Sequence, residues 1–368
     1  MNRSTKLAAG PILIMAGGTG GHVFPALAIA ESLRKQNIAV CWLGTRRGLE
    51  ARVVPAAKIE IKYISISGIR GKGLFSLLGA PFKITLAVWQ SMRILFALRP
   101  VAVIGMGGFV TGPAGVAAWL LRIPLLIHEQ NTIAGLTNRW LARLATLVME
   151  AFAGTFPHNY HAIATGNPLR ADIMALHAPK IVHKPLRVLV VGGSLGAQVL
   201  NEVVPLALQQ VLGEITVWHQ TGTTQLAVTQ KAYHDATFTA RVDEFIENMA
   251  SAYEWADVVI CRAGALTISE LAQVGIASIL VPYPYAVDDH QTSNARFLAA
   301  RGGAILLPQP QFSVEKLTKL MTELYNQPTR LQTMAIAAKR CATPTAVQQI
   351  INLILESGKR VKAISDQH

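Results

Sequence analysis

The sequence is poor in cysteine and in charged residues. Only three cysteines occur among 368 residues, and their wide separation argues against a disulfide framework or a zinc site. This usage is typical of a reducing compartment. Charged residues make up 15% of the chain and apolar residues 51%, so well-filled cores are expected and disorder is not. At this length we expect two domains rather than one.

Acidic residues are scarce in the first half of the chain. Residues 1–165 contain 17 Lys and Arg against 5 Asp and Glu, a net charge of +12, whereas residues 166–368 contain 17 against 16. We expect the first half to be drawn to an anionic surface, either nucleic acid or acidic lipid. The alternative is that the positive charge of the first half only increases the solubility of the protein.

The sequence also lacks an uninterrupted membrane span. Residues 101–121 carry no charge, but their five glycines and one proline predict a buried strand, turn and helix. Residues 74–96 combine apolar side chains with Pro81, Lys83 and Arg93, a pattern typical of an amphipathic surface element. The basic N-terminus leads through an apolar run into a glycine turn, so we expect no cleavable signal peptide.

Short apolar runs alternate with helical patterns along the whole chain, which predicts parallel α/β sheets. An apolar strand runs into a Gly-Gly turn twice, near residue 17 and near residue 192. We therefore predict two Rossmann-like, doubly wound domains over 1–166 and 167–344, with a helix at about 345–368 packing on the first. Because open α/β sheets bind ligands beyond the carboxyl ends of their strands, we expect the domains to face across a ligand cleft. The predicted strands are 12–16, 39–44, 101–105, 124–129, 146–150, 162–166, 186–194, 215–220, 257–262, 278–283 and 304–308.

Three glycine turns precede helices: "GGTGGH" (17–22), "GMGGF" (105–109) and "GGSLGA" (192–197). Such turns present backbone N–H groups and the positive end of a helix dipole, which suits a phosphate. The first and third turns both lack the G-x-G-x-x-G spacing of dinucleotide-binding proteins. No acidic residue comes directly after the second strand, where Arg46 and Arg47 stand instead. An NADP-dependent oxidoreductase is therefore a disfavoured alternative.

His22 is the first candidate for acid–base chemistry. A histidine at a helix N-terminus is expected to stay largely neutral, which suits a base or a hydrogen-bond donor. A purely structural role is the alternative, although a glycine turn offers few side chains against which a structural histidine could pack. Glu129 in "HEQNTIAG" (128–135) ends an apolar strand, where an α/β sheet keeps catalytic groups, and is the second candidate base.

The second half carries groups suited to a nucleotide sugar. In "CRAGALTISE" (261–270), the backbone N–H groups of Leu266 and Thr267 are expected to face a pyrophosphate. Glu270, predicted in the first helical turn, would accept from both ribose hydroxyls or would only complement the helix dipole. The loop "DDHQTSNARFL" (288–298) collects polar groups suited to sugar hydroxyls. No D-x-D occurs, so we expect no metal cofactor.

Seven motifs lie between about residues 11 and 300: "GGTGGHVFPALAIAESL", "GMGGFVTGPAG", "HEQNTIAGLTNRWLAR", "TGNPLR", "GGSLGA", "EFIENMASAYEWADVVICRAGALTISEL" and "DDHQTSNA". Together they resemble the MurG family of bacterial N-acetylglucosaminyltransferases. The resemblance implies a GT-B fold, UDP-GlcNAc as donor and lipid I, the undecaprenyl-diphosphate-linked muramoyl-pentapeptide, as acceptor. It also implies a peripheral location on an anionic membrane surface, at the cytoplasmic face of the bacterial inner membrane, with no nucleic acid partner. Another UDP-sugar-dependent glycolipid transferase and a non-catalytic, membrane-associated binder are the further alternatives.

The resemblance further implies a metal-independent, inverting displacement and a set of site residues. His22 is the implied acceptor-side catalytic or diphosphate-binding residue, and Glu129 is the other base. Leu195 stands where the family often has glutamine, so any side-chain contact of that glutamine is lost, and the loop before Gln291 also differs. The implied contacts with UDP-GlcNAc fall on Thr19, Gly20, Gly21, Asn131, Arg170, Ser194, Ile246 (its backbone on the uracil), Ala265, Leu266, Thr267, Ile268, Ser269, Glu270 (on the ribose) and Gln291 (on the sugar).

Overall fold

A computed structural model describes residues 10–66, 80–176, 182–193 and 196–365 of the chain. The chain divides into two compact units, Met1–Arg170 with Thr345–His368, and Ala171–Pro344. The sequence places the division after residue 166, but the structure places it after Arg170. One reason is that the Nδ2 of Asn167 donates a hydrogen bond to the carbonyl oxygen of Gln130 at 3.0 Å.

Each unit is built on one parallel sheet, of seven strands in the first unit and six in the second. The strands of the first are β1 Ile12–Met15, β2 Val40–Gly44, β3 Glu60–Tyr63, β4 Ala102–Gly105, β5 Leu125–Glu129, β6 Leu147–Glu150 and β7 Ile163–Ala164. Those of the second are β8 Leu186–Val191, β9 Ile215–Gln220, β10 Thr239–Asp243, β11 Val258–Cys261, β12 Ala277–Leu280 and β13 Ala304–Leu306. The sheet orders are β3-β2-β1-β4-β5-β6-β7 and β10-β9-β8-β11-β12-β13. These orders confirm the prediction of two Rossmann-like, doubly wound sheets.

Helices connect these strands. They are α1 Gly20–Lys35, α2 Glu50–Ala56, α3 Ala80–Leu98, α4 Thr111–Leu120, α5 Leu136–Leu141, α6 Ala171–Met174, α7 Gln198–Leu208, α8 Leu226–Ala232, α9 Met249–Trp255, α10 Ala265–Val274, α11 His290–Ala299, α12 Val314–Asn326, α13 Pro328–Lys339 and α14 Ala346–Ser365.

The central strands are buried on both faces. In β1, Ile12 and Ile14 belong to a core layer with α1 and with Ile350 of α14, whereas Leu13 and Met15 belong to the opposite layer. A strand covered on both sides needs apolar residues at every position, which explains why these strands read as continuous apolar runs. In the second unit, residues of β8 pack in the same way with α7, α12 and α13.

Two edge strands, β3 and β10, are missing from the predicted set. Their sequences, "EIKY" and "TARVD", alternate between exposed and half-buried residues. An edge strand needs no continuous apolar run and tolerates charge, so neither segment carries the signal of a buried strand.

The uncharged stretch 101–121 forms β4, a glycine turn and α4, which confirms that it is a βα unit. Among the helices that the structure describes, none is both long enough and apolar enough to cross a membrane. Of the amphipathic segment predicted over 74–96, residues 80–96 lie in α3 and residues 74–79 lie outside the described part of the chain.

Candidate active site

The first glycine turn leads from β1 into α1 of the first unit. Gly18 has a φ of +94°, a left-handed conformation that favours glycine. Thr19 is the N-cap of α1, and its hydroxyl makes no capping hydrogen bond. The first N–H groups of a helix have no acceptor inside the helix, so Gly20 and Gly21 supply donors of the kind that bind an anion. Thr19, Gly20 and Gly21 thus lie together at a helix N-terminus that is at least partly exposed.

His22 lies in the first turn of α1, with its imidazole ring against the second glycine turn. A Cβ atom built on Gly107 would stand 2.7 Å from Cδ2 and 2.9 Å from Nε2 of His22, so the ring occupies space that only glycine leaves. A Cβ atom on Gly108 would collide with the carbonyl oxygen of Gly17. The first two glycine turns are therefore in contact, and His22 stands where they meet.

Glu50 is absent from the predicted site, yet it holds the first glycine turn in place. Its buried carboxylate accepts hydrogen bonds from the N–H of Gly18 (3.0 Å) and from the N–H and Oγ1 of Thr45 (2.9 and 2.7 Å). Cβ atoms on Gly17 and Gly44 would stand 2.8 and 2.6 Å from this side chain. The only signal in the sequence is a single carboxylate at the end of the glycine-containing loop "GTRRGLE".

Glu129 ends β5, and its carboxylate has protein donors on both oxygens. Oε1 accepts from the N–H and Nδ2 of Asn131 (3.0 and 3.1 Å), while Oε2 accepts from the N–H of Gly135 (3.0 Å) and Nδ2 of Asn138 (2.9 Å). The residue as a whole is only 2% exposed. Four donors fix the loop after β5, so the geometry supports a structural role for Glu129 and argues against its role as a base. The predicted contact residue Asn131 lies in this same loop.

His128, next to Glu129, fastens the chain segment that leaves the first unit. Its Nε2 lies 3.0 Å from the carbonyl oxygen of Gly166, and its Nδ1 lies 3.0 Å from Nε2 of Gln130. Burial lowers the pKa of His128 to about 4, so its ring is neutral at pH 7. Arg170, predicted as a donor contact from the second domain, is instead the last residue of the first unit's main segment.

The third glycine turn leads from β8 into α7 of the second unit. Gly193 and Gly196 have φ of +88° and +76°, and the N–H of Gly196 donates to the carbonyl oxygen of Gly193 at 2.9 Å. Ser194, the predicted diphosphate contact, and Leu195 lie outside the described residues. The turn nevertheless has the left-handed glycines expected of an anion-binding loop.

The predicted pyrophosphate turn opens α10. This helix begins at Ala265, has Gly264 as its N-cap and has no side-chain cap, so the N–H groups of 265–267 remain for another acceptor. Ile268 is fully buried in the core, and the hydroxyl of Ser269 donates to the carbonyl oxygen of Ala265 at 3.0 Å. The N–H of Ile268 donates to the carbonyl oxygen of Gly264 at 2.9 Å. The donor contacts predicted for Ile268 and Ser269 stay predictions.

Glu270 is the sixth residue of α10, so the prediction that it stands in the first turn is wrong. The helix begins earlier than the sequence suggests. Its N-cap is Gly264, and a glycine offers no side-chain oxygen that would mark the helix start in the sequence. The phenol of Tyr253 donates a hydrogen bond to Oε2 of Glu270 at 2.9 Å, which orients the carboxylate. A position in the second turn also removes the alternative that Glu270 only complements the helix dipole, since that effect fades beyond the first turn.

Gln291 stands in the first turn of α11. Its Oε1 accepts a hydrogen bond from the N–H of Tyr283 at 2.9 Å. In the same helix, Nδ2 of Asn294 donates to the carbonyl oxygen of Ala263 at 3.2 Å, which ties α11 to the turn before α10. Gln291 and the N-terminus of α10 are thus held by the same part of the second unit.

Ile246, predicted to read the uracil with its backbone, is 3% exposed and follows β10. Its N–H donates to Oε1 of Gln220 at 3.0 Å. Because this N–H already has an acceptor, the carbonyl oxygen of Ile246 is the backbone atom to which the predicted uracil contact applies. Gln220 is a further residue that the predicted site lacks.

Across the residues that the structure describes, three or more His, Cys, Asp or Glu side chains nowhere gather into a group that could hold a metal ion.

The comparisons with known proteins cover both units. Residues 12–150 match the N-terminal domain of glycosyltransferase family 28, and residues 187–350 match its C-terminal domain. The UDP-N-acetylglucosamine–N-acetylmuramyl-(pentapeptide) pyrophosphoryl-undecaprenol N-acetylglucosamine transferase of Methylococcus capsulatus is 52% identical over 349 residues, 94% of this chain and 98% of that protein. The enzyme of the same name from Stutzerimonas stutzeri is 49% identical over 95% of this chain and 99% of that protein. The crystal structure of MurG from Acinetobacter baumannii superposes with a TM-score of 0.84 and 45% identity, covering 95% of this chain and 100% of that one.

Proposed function

The chain belongs to glycosyltransferase family 28, and from that membership we propose how its two units divide the reaction. It transfers N-acetylglucosamine from UDP-GlcNAc to lipid I in peptidoglycan synthesis, the activity of relatives about 50% identical along nearly the whole chain. This identity over nearly the whole chain is the observation that supports the assigned reaction, and it excludes the oxidoreductase alternative.

We propose that the second unit binds the nucleotide. The N–H groups of the third glycine turn and of 265–267 would hold the diphosphate, supported by the left-handed glycines and the uncapped start of α10. The carboxylate of Glu270, oriented by Tyr253, would accept hydrogen bonds from the ribose hydroxyls. The carbonyl oxygen of Ile246 would face the uracil.

We propose that the first unit binds the acceptor. The contact between its two glycine turns gathers backbone N–H groups around His22, which suits the diphosphate of lipid I and the sugar hydroxyl that reacts. Of the two candidate bases, His22 is favoured because the oxygens of Glu129 already accept four protein hydrogen bonds. Thr19, Gly20 and Gly21 lie beside His22 and would touch the transferred sugar.

In the proposed step, the acceptor hydroxyl attacks the anomeric carbon on the face opposite UDP. The bond between that carbon and the diphosphate oxygen breaks as the new glycosidic bond forms, and His22 takes the hydroxyl proton. Charge on the departing UDP is stabilised by helix N-termini, the largest contribution of the protein in this account. We propose that no divalent ion is needed, since backbone donors fill that role.

The function is tested by incubating the chain with UDP-GlcNAc and a lipid I analogue, with and without EDTA. The expected result is release of UDP that depends on the lipid I analogue and persists in EDTA. Absence of UDP release with lipid I present would contradict the assigned reaction. Loss of activity in EDTA would contradict only the metal-independent mechanism.

Replacement of Glu129 by glutamine is expected to lower the stability of the fold and not to remove the base. The new amide would place its own N–H₂ group against protein donors, at a cost of about 1–3 kcal/mol in the free energy of unfolding. Thermal unfolding and kcat measured below the melting temperature separate the two effects. A kcat reduced about a hundredfold or more in a folded Glu129→Gln variant would instead assign the base to Glu129.

We propose that α3 attaches the first unit to an anionic membrane, at the cytoplasmic face of the bacterial inner membrane. Phe82, Trp89 and Phe96 are 76%, 53% and 70% exposed, and their seven-residue spacing puts them on one face of the helix. The guanidinium of Arg93 lies 4.9 Å from the ring centroid of Trp89. Exposed apolar side chains with cations beside them suit a lipid surface, and residues 1–165 add a net charge of +12.

Replacement of Phe82 and Phe96 by serine is expected to weaken binding to phosphatidylglycerol vesicles about a hundredfold or more, because each buried aromatic ring contributes roughly 1.5–3 kcal/mol. Vesicle sedimentation measures the change. Leu212→Ser is the matched control, since Leu212 is 85% exposed but lies in the second unit. Equal binding by the double variant and the unmodified chain would contradict the assignment of this face to the membrane.

A further inference from the structure

Gln220 connects two loops of the second unit that the proposed function assigns to opposite ends of the donor nucleotide. It is the last residue of β9 and is 2% exposed. Its Nε2 donates to the carbonyl oxygen of Gly193, in the third glycine turn, at 2.9 Å. Its Oε1 accepts from the N–H of Ile246, in the loop after β10, at 3.0 Å. One amide group thus spans the turn proposed for the diphosphate and the loop proposed for the uracil.

The residues around Gln220 hold the same two loops. The N–H of Gly222 donates to the carbonyl oxygen of Glu244 at 2.9 Å, which fastens the chain after β9 to the loop after β10. On the other side, a Cβ atom on Gly196 would collide with the carbonyl oxygen of Thr221, so the third glycine turn packs directly against this chain. Nδ2 of Asn201 in α7 donates to that same carbonyl oxygen at 3.0 Å. The backbone already brings the loops together, and the Gln220 side chain adds one hydrogen bond to each of them.

An amide is the side chain that fits this position. Gly193 offers an acceptor and Ile246 offers a donor, so the bridging group must carry one of each at the end of a chain of this length. Methionine has a similar size but would leave both backbone groups unpaired in a buried setting. Glutamate would keep the bond to Ile246, lose the bond to Gly193 and bring a negative charge toward the diphosphate.

We propose that Gln220 is a positioning residue that sets the spacing between the diphosphate turn and the uracil loop, so that the second unit recognises a uridine diphosphate as a whole. The inference rests on the proposed function. Gln220 need not touch the nucleotide, because its effect passes through the backbone of Gly193 and Ile246. Its loss should therefore weaken ligands that engage both loops more than ligands that engage one.

The test compares Gln220→Met with Gln273→Met in the full chain. Gln273 is a suitable control because it is also buried in the second unit, and its Nε2 donates to the carbonyl oxygen of Met174 in α6 at 3.2 Å. Calorimetric titration gives the affinity for UDP, competition with UDP gives the affinity for uridine, and thermal unfolding reports the stability of each variant.

In Gln220→Met, UDP affinity is expected to fall by at least about tenfold and uridine affinity by a smaller factor, with a matching rise in KM for UDP-GlcNAc. Gln273→Met removes one buried side-chain hydrogen bond and should keep wild-type affinity for both ligands. Wild-type UDP affinity in Gln220→Met, or equal losses for UDP and uridine, would overturn the proposal. If the unmodified chain itself fails to bind UDP, the nucleotide assignment of the proposed function is at fault instead.

Discussion

Replacing His22 with alanine is expected to lower kcat about a thousandfold, the range expected when a general base is removed. The ring stands where the first two glycine turns meet, and the Glu129 carboxylate, the other predicted base, accepts hydrogen bonds from four protein donors. The KM for UDP-GlcNAc should change little, since the nucleotide is assigned to the second unit. Initial rates with a lipid I analogue at saturating donor measure the effect.

Two further variants sharpen this test. His158→Ala removes an exposed histidine of the same unit and should leave kcat unchanged. Gly107→Ala keeps the imidazole but places a methyl group within 3 Å of it, and it also strains a residue whose φ is +102°. We expect a kcat intermediate between wild type and His22→Ala. Wild-type turnover in His22→Ala would exclude this residue as the base.

Replacing Glu270 with alanine is expected to raise the KM for UDP-GlcNAc by about 10- to 100-fold, because hydrogen bonds to a charged group contribute roughly 1.5–3 kcal/mol. The carboxylate is in the second turn of α10, and Tyr253 donates to its Oε2. A ribose contact is lost equally in the bound donor and in the transition state, so kcat should fall much less than KM rises.

The neighbouring residues supply the controls for Glu270. Tyr253→Phe removes only the hydroxyl group that orients the carboxylate and should raise the donor KM by a few-fold, on the order of one neutral hydrogen bond. Glu254→Ala removes an exposed carboxylate next to Tyr253 and should change neither constant. A donor KM in Glu270→Ala that stays at the wild-type value would remove this residue from the nucleotide site.

The fold was predictable wherever a strand is buried on both sides. Runs such as "ILIMA" and "LVVG" signal central strands because both faces must be apolar. The edge strands β3 and β10 carry no such signal, since exposed and half-buried residues alternate along them. The sequence predicts the start of α10 too late for a related reason: a glycine N-cap leaves no side-chain signature, so Glu270 is expected one turn nearer the helix start than it lies.

The glycine turns of the site were also predictable, because left-handed backbone at the end of a strand requires glycine. The residues that hold those turns were not. Glu50 contacts Gly18 across 32 residues, and Gln220 contacts Gly193 across 27. Such contacts arise because parallel strands bring their carboxyl ends together, and nothing in the local sequence marks which buried polar side chain will span the gap.

For Glu129, the sequence indicates the position of the residue but not its surroundings. Its position at the end of an apolar strand is typical of a catalytic group, but the sequence does not show how many donors the following loop turns back toward it. Asn131, Gly135 and Asn138 donate to its two oxygens, and this geometry supports a structural role for the carboxylate.

Hydrogen–deuterium exchange with and without UDP tests the division of labour between the two units most directly. The account predicts protection by UDP in peptides that contain 192–197, 245–247 and 264–270, all in the second unit. The glycine turn at 17–22 should exchange at the same rate in both states, because it is assigned to the acceptor and to the transferred sugar, which UDP lacks. Protection at 17–22 with none at 264–270 would contradict the account.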